Sequence, residues 1–160
     1  KLVRAKRIYI LGVRSSSSLA GYLNFYFHLI FENVTLVQSA AGEIFDQMLR
    51  IGPGDVLLAI GFPRYSKLTM SAVHFARDRG AEVIAITDSK MSPLYTLSVA
   101  SLLVHCEMIS FVDSMAAPVS LLNALIVAVG KQKSAETAET FAEMERVWSR
   151  YEIFGYEDDE

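Results

Sequence analysis

At 160 residues, 52% hydrophobic and 21% charged, the chain has enough apolar material for one globular domain, and this composition excludes a disordered assignment. Fifteen basic residues face 18 acidic ones, and the last four residues, EDDE, hold four of those acids, so the body is close to neutral and lacks the clustered basic face that direct nucleic-acid binding needs. No apolar run is long enough for a membrane span, no small-residue cleavage site follows the opening KLVRAKRIYI, and the single Cys106 cannot form an internal disulfide; the expectation is a soluble chain in a reducing cytoplasm, with Cys106 a small buried hydrophobe.

Lys1, Arg4, Lys6 and Arg7 form a small basic group, read as a solvated end. The first strand is predicted over 7–13 (RIYILGV). Gly12 permits a tight turn there, and four consecutive serines at 15–18 lead into a helix over 17–31. A strand VTLVQ (34–38) and a helix at about 40–50 follow. GPGD (52–55) separates that helix from a third strand, DVLLAIGF (55–62), with Gly52 suited to the left-handed position after a helix and Pro53 unable to continue it. A helix over 67–79 is closed in the same way by Gly80. Next come a strand EVIAITD (82–88), a turn or short helix start at SPL (92–94), a strand SLLVHC (101–106) and a helix over 114–130. Finally, 134–154 carries Phe141, Met144, Val147, Trp148 and Tyr151 on one helical stripe, equally suited to closing the domain's own core or to serving a partner subunit.

Runs such as VLLAI and VIAIT are apolar at successive positions, the pattern of parallel strands covered on both faces. The expected architecture is an α/β three-layer αβα sandwich: one domain over 1–160 with a five-stranded parallel sheet and right-handed crossovers.

Ligands of such sheets bind outside the carboxyl ends of the strands. GVRSSSS occupies one such place, where hydroxyls and the free N–H groups of a first helical turn can receive an anion; alternatively one serine caps the helix and the others are solvated. GFPRYSKLT (61–69) makes a second offer, with Ser66 and Thr69 at the helix start and positive charge from Arg64 and Lys67. Two hydroxyl-rich turns on strands expected to be neighbours describe a phosphate site. In TDSKMSPL (87–94), Thr87, Asp88 and Ser89 could shape the rim, although Asp88 suits a turn or cap better than a phosphate.

The segments ILGVRSSSSLA, DVLLAIGFPRYSKLTMSAVHFARDRGAEVIAITDSKMSPLYTLSVASLLV and DSMAAPVSLLNALIVAV resemble the SIS (sugar isomerase) domain, in the version attached to RpiR-type bacterial transcriptional regulators. FPRYSK and VIAITDSKMSPL carry most of the likeness, which spans nearly the whole chain. The resemblance implies a flavodoxin-like fold and a sugar phosphate effector. It also implies a homodimer or higher oligomer, and DNA contact only through a helix-turn-helix domain on the N-terminal side, outside this chain. It implies no cofactor, no metal and no membrane partner. The family's first loop, G-x-G-x-S, falls on Gly12, Val13, Arg14, Ser15 and Ser16, and its second, S-G-x-T, on Ser66, Lys67, Leu68 and Thr69. The implied phosphosugar ligands are therefore Ser15, Ser16, Ser66 and Thr69, with Arg14 and Lys67 standing where the family has glycine. The pocket has either traded a backbone contact for a charged one or narrowed to take a different ligand.

SIS domains also occur in aldose–ketose phosphosugar isomerases, whose proton transfer needs a base. Glu43, at the start of the second helix, and His105, at the end of the last strand, are the alternatives for that role, although Glu43 suits the helix dipole better and His105 a structural place. Asp113 could cap a helix or reach the pocket, His28 reads as a core or interface residue, His74 lies inside the third helix, and no metal-ligand spacing relates the histidines.

Overall fold

The computed structural model describes residues 1–38 and 44–154. After a 3-10 turn at Leu2–Arg4, the chain alternates strands and helices: β1 Ile8–Gly12, α1 Ser16–His28, β2 Val34–Val37, α2 Ile44–Gln47, β3 Val56–Ile60, α3 Lys67–Asp78, β4 Glu82–Thr87, α4 Pro93–Leu97 and β5 Ala100–Leu103. A hairpin of β6 Met108–Ile109 and β7 Val112–Asp113 then leads to α5 Ala116–Gln132 and α6 Ser134–Arg150. The five main strands are parallel in the order β2-β1-β3-β4-β5.

Side chains alternate across a strand, so each central strand feeds two cores. Ile8, Ile10, Leu58, Ile60, Ile84 and Ile86 point to the face covered by α1 and α5, meeting Leu19, Leu23, Phe27 and Leu122. Tyr9, Leu11, Leu57, Ala59, Val83 and Ala85 point to the other, meeting Ile44 and Met48, Val73 of α3 and Leu94 of α4. This is the αβα sandwich expected from the doubly apolar runs.

Several local expectations need correction. The left-handed residue between α2 and β3 is Gly54 (φ 88°), not Gly52, because the Gly52 N–H turns inward to donate to the buried Asp55 carboxylate at 2.9 Å. The final strand stops at Leu103, and Cys106 leaves the sheet to join the α1/α5 core, where burial, then the charges of Asp113 and Asp88, push its thiol pKa up. The hairpin β6–β7 was not anticipated; two-residue strands are too short to show a period. His28 is exposed on α1, which removes the core alternative and leaves the interface one. Part of the predicted second helix lies outside the described residues.

Nor is Arg7 part of a merely solvated end. Its guanidinium forks onto Asp55, with Nη2 to Oδ2 at 2.7 Å and Nε to Oδ1 at 3.1 Å, and also donates to the Arg50 carbonyl. Asp55 is 1% exposed and Arg7 41%, so water still reaches one partner. Arg7→Met is therefore expected to lower stability by about 2 kcal/mol, below the ~3–5 kcal/mol typical of breaking a fully buried pair. A denaturant midpoint equal to the parent's would show that the pair contributes nothing.

Candidate functional site

The strand order reverses direction between β1 and β3: the chain leaves β1 toward β2 and later leaves β3 toward β4. At such a switch point neighbouring crossovers part to opposite faces, leaving a crevice beyond the carboxyl ends of the two strands. The turn after β1 enters α1 and the turn after β3 enters α3, so two helix N-termini flank one crevice. Neither first turn contains an acidic side chain that would neutralise its positive dipole end.

A hollow of about 430 Å³ lies there. It falls in the ~300–1,000 Å³ range of small-molecule sites. Its lining brings together the six implied ligands of the two loops, Arg14, Ser15, Ser16, Ser66, Lys67 and Thr69, with Arg64, the other cation of the second loop, and Asp113, which takes the pocket rather than a helix cap. Phe62 and Pro63 supply apolar wall. Arg14 and Lys67 are exposed at its rim rather than packed into it, so the hollow stays open.

The serines divide their work. Ser17 donates its hydroxyl to the Arg14 carbonyl at 2.6 Å, closing the first turn, while Ser18 is exposed. Ser15 occupies the N-cap position without a side-chain cap bond. Ser16 is buried, 6% exposed, and Thr69 is 3% exposed, yet neither hydroxyl bonds to another side chain or backbone group among the described residues. Ser66 caps α3 by accepting from the Leu68 N–H at 3.2 Å, which leaves its own proton available. Four O–H donors, those of Ser15, Ser16, Ser66 and Thr69, thus border one space, beside the orphan N–H groups of two helical turns.

Gly12 matters for closeness, not for a turn. A Cβ there would lie 2.2 Å from the Ser16 carbonyl oxygen, so only glycine lets the start of α1 settle against the end of β1. Arg14 (φ 59°) and Arg64 (φ 66°) hold left-handed backbone, one in each loop. The Pro63–Arg64 pair carried a sequence signal for this, since a proline often precedes a positive-φ position in a turn.

Behind the second loop a polar cluster holds it in place. The Tyr65 hydroxyl donates to Asp88, the Thr87 hydroxyl lies 3.2 Å from the same carboxylate and 2.7 Å from Ser92, and Ser92 caps α4 by accepting from the Leu94 N–H. Burial, then the bond to Asp88, raise the Tyr65 pKa. For Asp88, burial works to raise the pKa, but hydrogen bonds from Tyr65, backbone and Thr87 outweigh it and the net shift is downward. The anchor is therefore fully present above the ordinary carboxylate range and is lost only as pH falls through the lowered value. Asp88 braces Tyr65 and does not line the hollow.

Of the candidate bases, Glu43 lies outside the described residues. His105 is exposed, 3.3 Å from Glu107, and does not line the hollow. His74 is exposed on α3. Asp113 is the single carboxylate on the hollow's wall among the described residues, and those residues contain no cluster of three potential metal ligands. No described helix is long and apolar enough to cross a membrane.

Fold and hollow together define an α/β ligand-binding domain of the doubly wound type. The family profile for the SIS domain matches residues 1–128, and the chain belongs to that family. Among solved structures, it is similar to the sugar isomerase domain of an RpiR transcription factor from Sphaerobacter thermophilus, at 19% identity and a TM-score of 0.80, covering 89% of this chain and 80% of that one. It is also similar to Vibrio vulnificus NanR complexed with ManNAc-6P, at 20% identity and a TM-score of 0.76; that match covers 92% of this chain and 57% of NanR, so this chain corresponds to little more than half of that protein. A third is the Methanococcus jannaschii protein MJ1247, for which a 3-hexulose-6-phosphate isomerase function has been inferred (15% identity, TM-score 0.66, 86% and 78% covered). No curated protein matches the sequence.

Proposed function

We propose that this chain is the phosphosugar-binding sensor and dimerisation domain of a cytoplasmic transcriptional regulator, joined to a helix-turn-helix domain that makes the DNA contact. One observation carries the reading: two crossover turns bring the buried residues Ser16 and Thr69, whose hydroxyls have no partner among the described residues, together with Ser66 to a single hollow at the switch point. Uncharged donors and two helix N-termini suit a phosphate that must bind and leave, and the remaining volume holds a sugar. The similarity to an RpiR factor and to a ManNAc-6P-bound NanR supports the same ligand class.

Sensing requires that the sugar phosphate bind one arrangement of two subunits better than another. A face for the second subunit is at hand. Helix α5 is apolar along most of its 17 residues, yet buries only Pro118, Leu122 and Val129. Helix α6 buries none; its Phe141 stays half-exposed and shares an apolar hollow with Val127 of α5, and Val147 of α6 and Phe25 of α1 are exposed as well. The aromatic stripe of α6 thus serves a partner in this reading rather than the domain's own core.

Calorimetric titration of the chain with a panel of sugar phosphates, followed by an assay for interconverted sugars, tests the proposal. Saturable binding without turnover is expected. Absence of binding across the panel would overturn it, and turnover abolished by Glu43→Gln or His105→Ala would replace it with a phosphosugar isomerase.

A further inference from the structure

The hydroxyl cradle leaves charge unaccounted for. Four O–H donors and two helix dipoles already provide for one phosphate, yet Arg14, Arg64 and Lys67 also border the hollow, against a single acid among the described residues, Asp113. None of these three cations takes part in an ion pair among the described residues. Lys67 stands at the first position of α3, where a cation opposes the helix dipole. Like charges gathered at one opening repel unless an anion joins them.

Backbone geometry sharpens the point. Arg14 (φ 59°) and Arg64 (φ 66°) occupy the left-handed region, which disfavours every residue with a Cβ. Glycine would relieve both places at once. What the strain preserves, in each of two separate loops, is a guanidinium beside the same hollow. A guanidinium forks onto carboxylate or phosphate oxygens with two parallel hydrogen bonds, a geometry wasted on a neutral sugar hydroxyl. The volume of about 430 Å³ leaves room for more than a phosphate.

We infer that the hollow selects a phosphosugar bearing a second anionic group, a carboxylate or a second phosphate, bound by Arg14 and Arg64 while Ser16, Ser66 and Thr69 hold the first phosphate. This rests on the phosphosugar reading above and adds the ligand's second charge to it. Asp113, acceptor only, is left to take a hydroxyl of the sugar between them.

Matched pairs of ligands test it, titrated into the chain at fixed ionic strength. Glucitol 6-phosphate and 6-phosphogluconate differ only in a carboxylate at one end; fructose 6-phosphate and fructose 1,6-bisphosphate differ only in a second phosphate. The doubly anionic member of at least one pair is expected to bind about tenfold tighter or more, the scale of one charged hydrogen-bonded contact. Which pair shows the gain identifies the second group. In an Arg14→Gly, Arg64→Gly variant, whose glycines suit the two φ values and whose folding a thermal melt verifies, that gain is expected to fall to about threefold or less. Equal affinity within both pairs for the parent chain, or an undiminished gain in the glycine variant, would overturn the inference while leaving phosphosugar sensing intact. If no member of either pair binds the parent chain, the phosphosugar reading fails and this inference fails with it.

Discussion

A Ser16→Ala, Thr69→Val double variant is expected to lose sugar-phosphate affinity by about a hundredfold or more while melting within a few degrees of the parent. A hydrogen bond to a charged acceptor contributes about 1.5–3 kcal/mol, and each 1.4 kcal/mol is tenfold in affinity, so two such donors account for at least that factor. Stability should hardly change, because both residues are buried but line the hollow, and neither hydroxyl is engaged by another described residue. Removing them strands no partner, and valine keeps the shape of threonine. Titration calorimetry and thermal melting read the two effects separately. Affinity retained within about threefold would take these hydroxyls out of the site. A collapse of the melting temperature would mean that they hold the fold instead.

Gly12→Ala is expected to act in the opposite order, on folding before binding. The added methyl would lie 2.2 Å from the Ser16 carbonyl oxygen and 3.0 Å from the Ala20 side chain. The first of these is backbone in the opening turn of α1 and cannot rotate away, so the helix must lift off the sheet. Overpacking of this kind costs about 3 kcal/mol, at the upper end of the usual range because the obstacle is rigid. For a domain of this size that corresponds to a fall of about 6–12 °C in melting temperature. Since α1 carries Ser16, displacing it also opens the cradle, and phosphosugar affinity should fall along with stability. An unchanged melting temperature would show that strand and helix separate without cost and that the close approach does not matter.

The order of elements was legible from the chain alone. Four of the five strands of the main sheet announce themselves by a short run of β-branched and apolar residues, and the fifth, ASLL, by its leucines. The third helix begins at Ser66, whose hydroxyl accepts from the Leu68 N–H, and α4 begins at Ser92 with Pro93 as its first residue, as those local patterns foretold. Such signals arise from neighbours a few positions apart, and the folded protein merely keeps them. The hydroxyl loops belong to the same class of information: Ser15, Ser16, Ser66 and Thr69 stand out because each group follows a strand and opens a helix.

Other features depend on groups far apart in the chain, and no local pattern encodes them. Arg7 reads as one more exposed cation until β1 and β3 pair and bring Asp55 under it, 48 positions along. Asp88 reads as a turn residue until Tyr65 reaches it across the top of the sheet. The stripe on α6 could not be assigned to core or partner, because that depends on whether α5 leaves space beneath it; no residue of α6 is buried. Arg14 shows its left-handed backbone only once its loop is closed, whereas at Arg64 the preceding Pro63 was a local signal.

The sequence by itself therefore determined the class of fold, the alternation of elements and two separate hydroxyl-bearing turns, since periodicity and helix starts are properties of adjacent residues. Only the tertiary structure decided that those turns share one hollow, because their meeting depends on β1 lying beside β3 with their crossovers parting to opposite faces. Strand order is a choice among long-range pairings of similarly apolar segments, and it is made by the packing of the whole sheet.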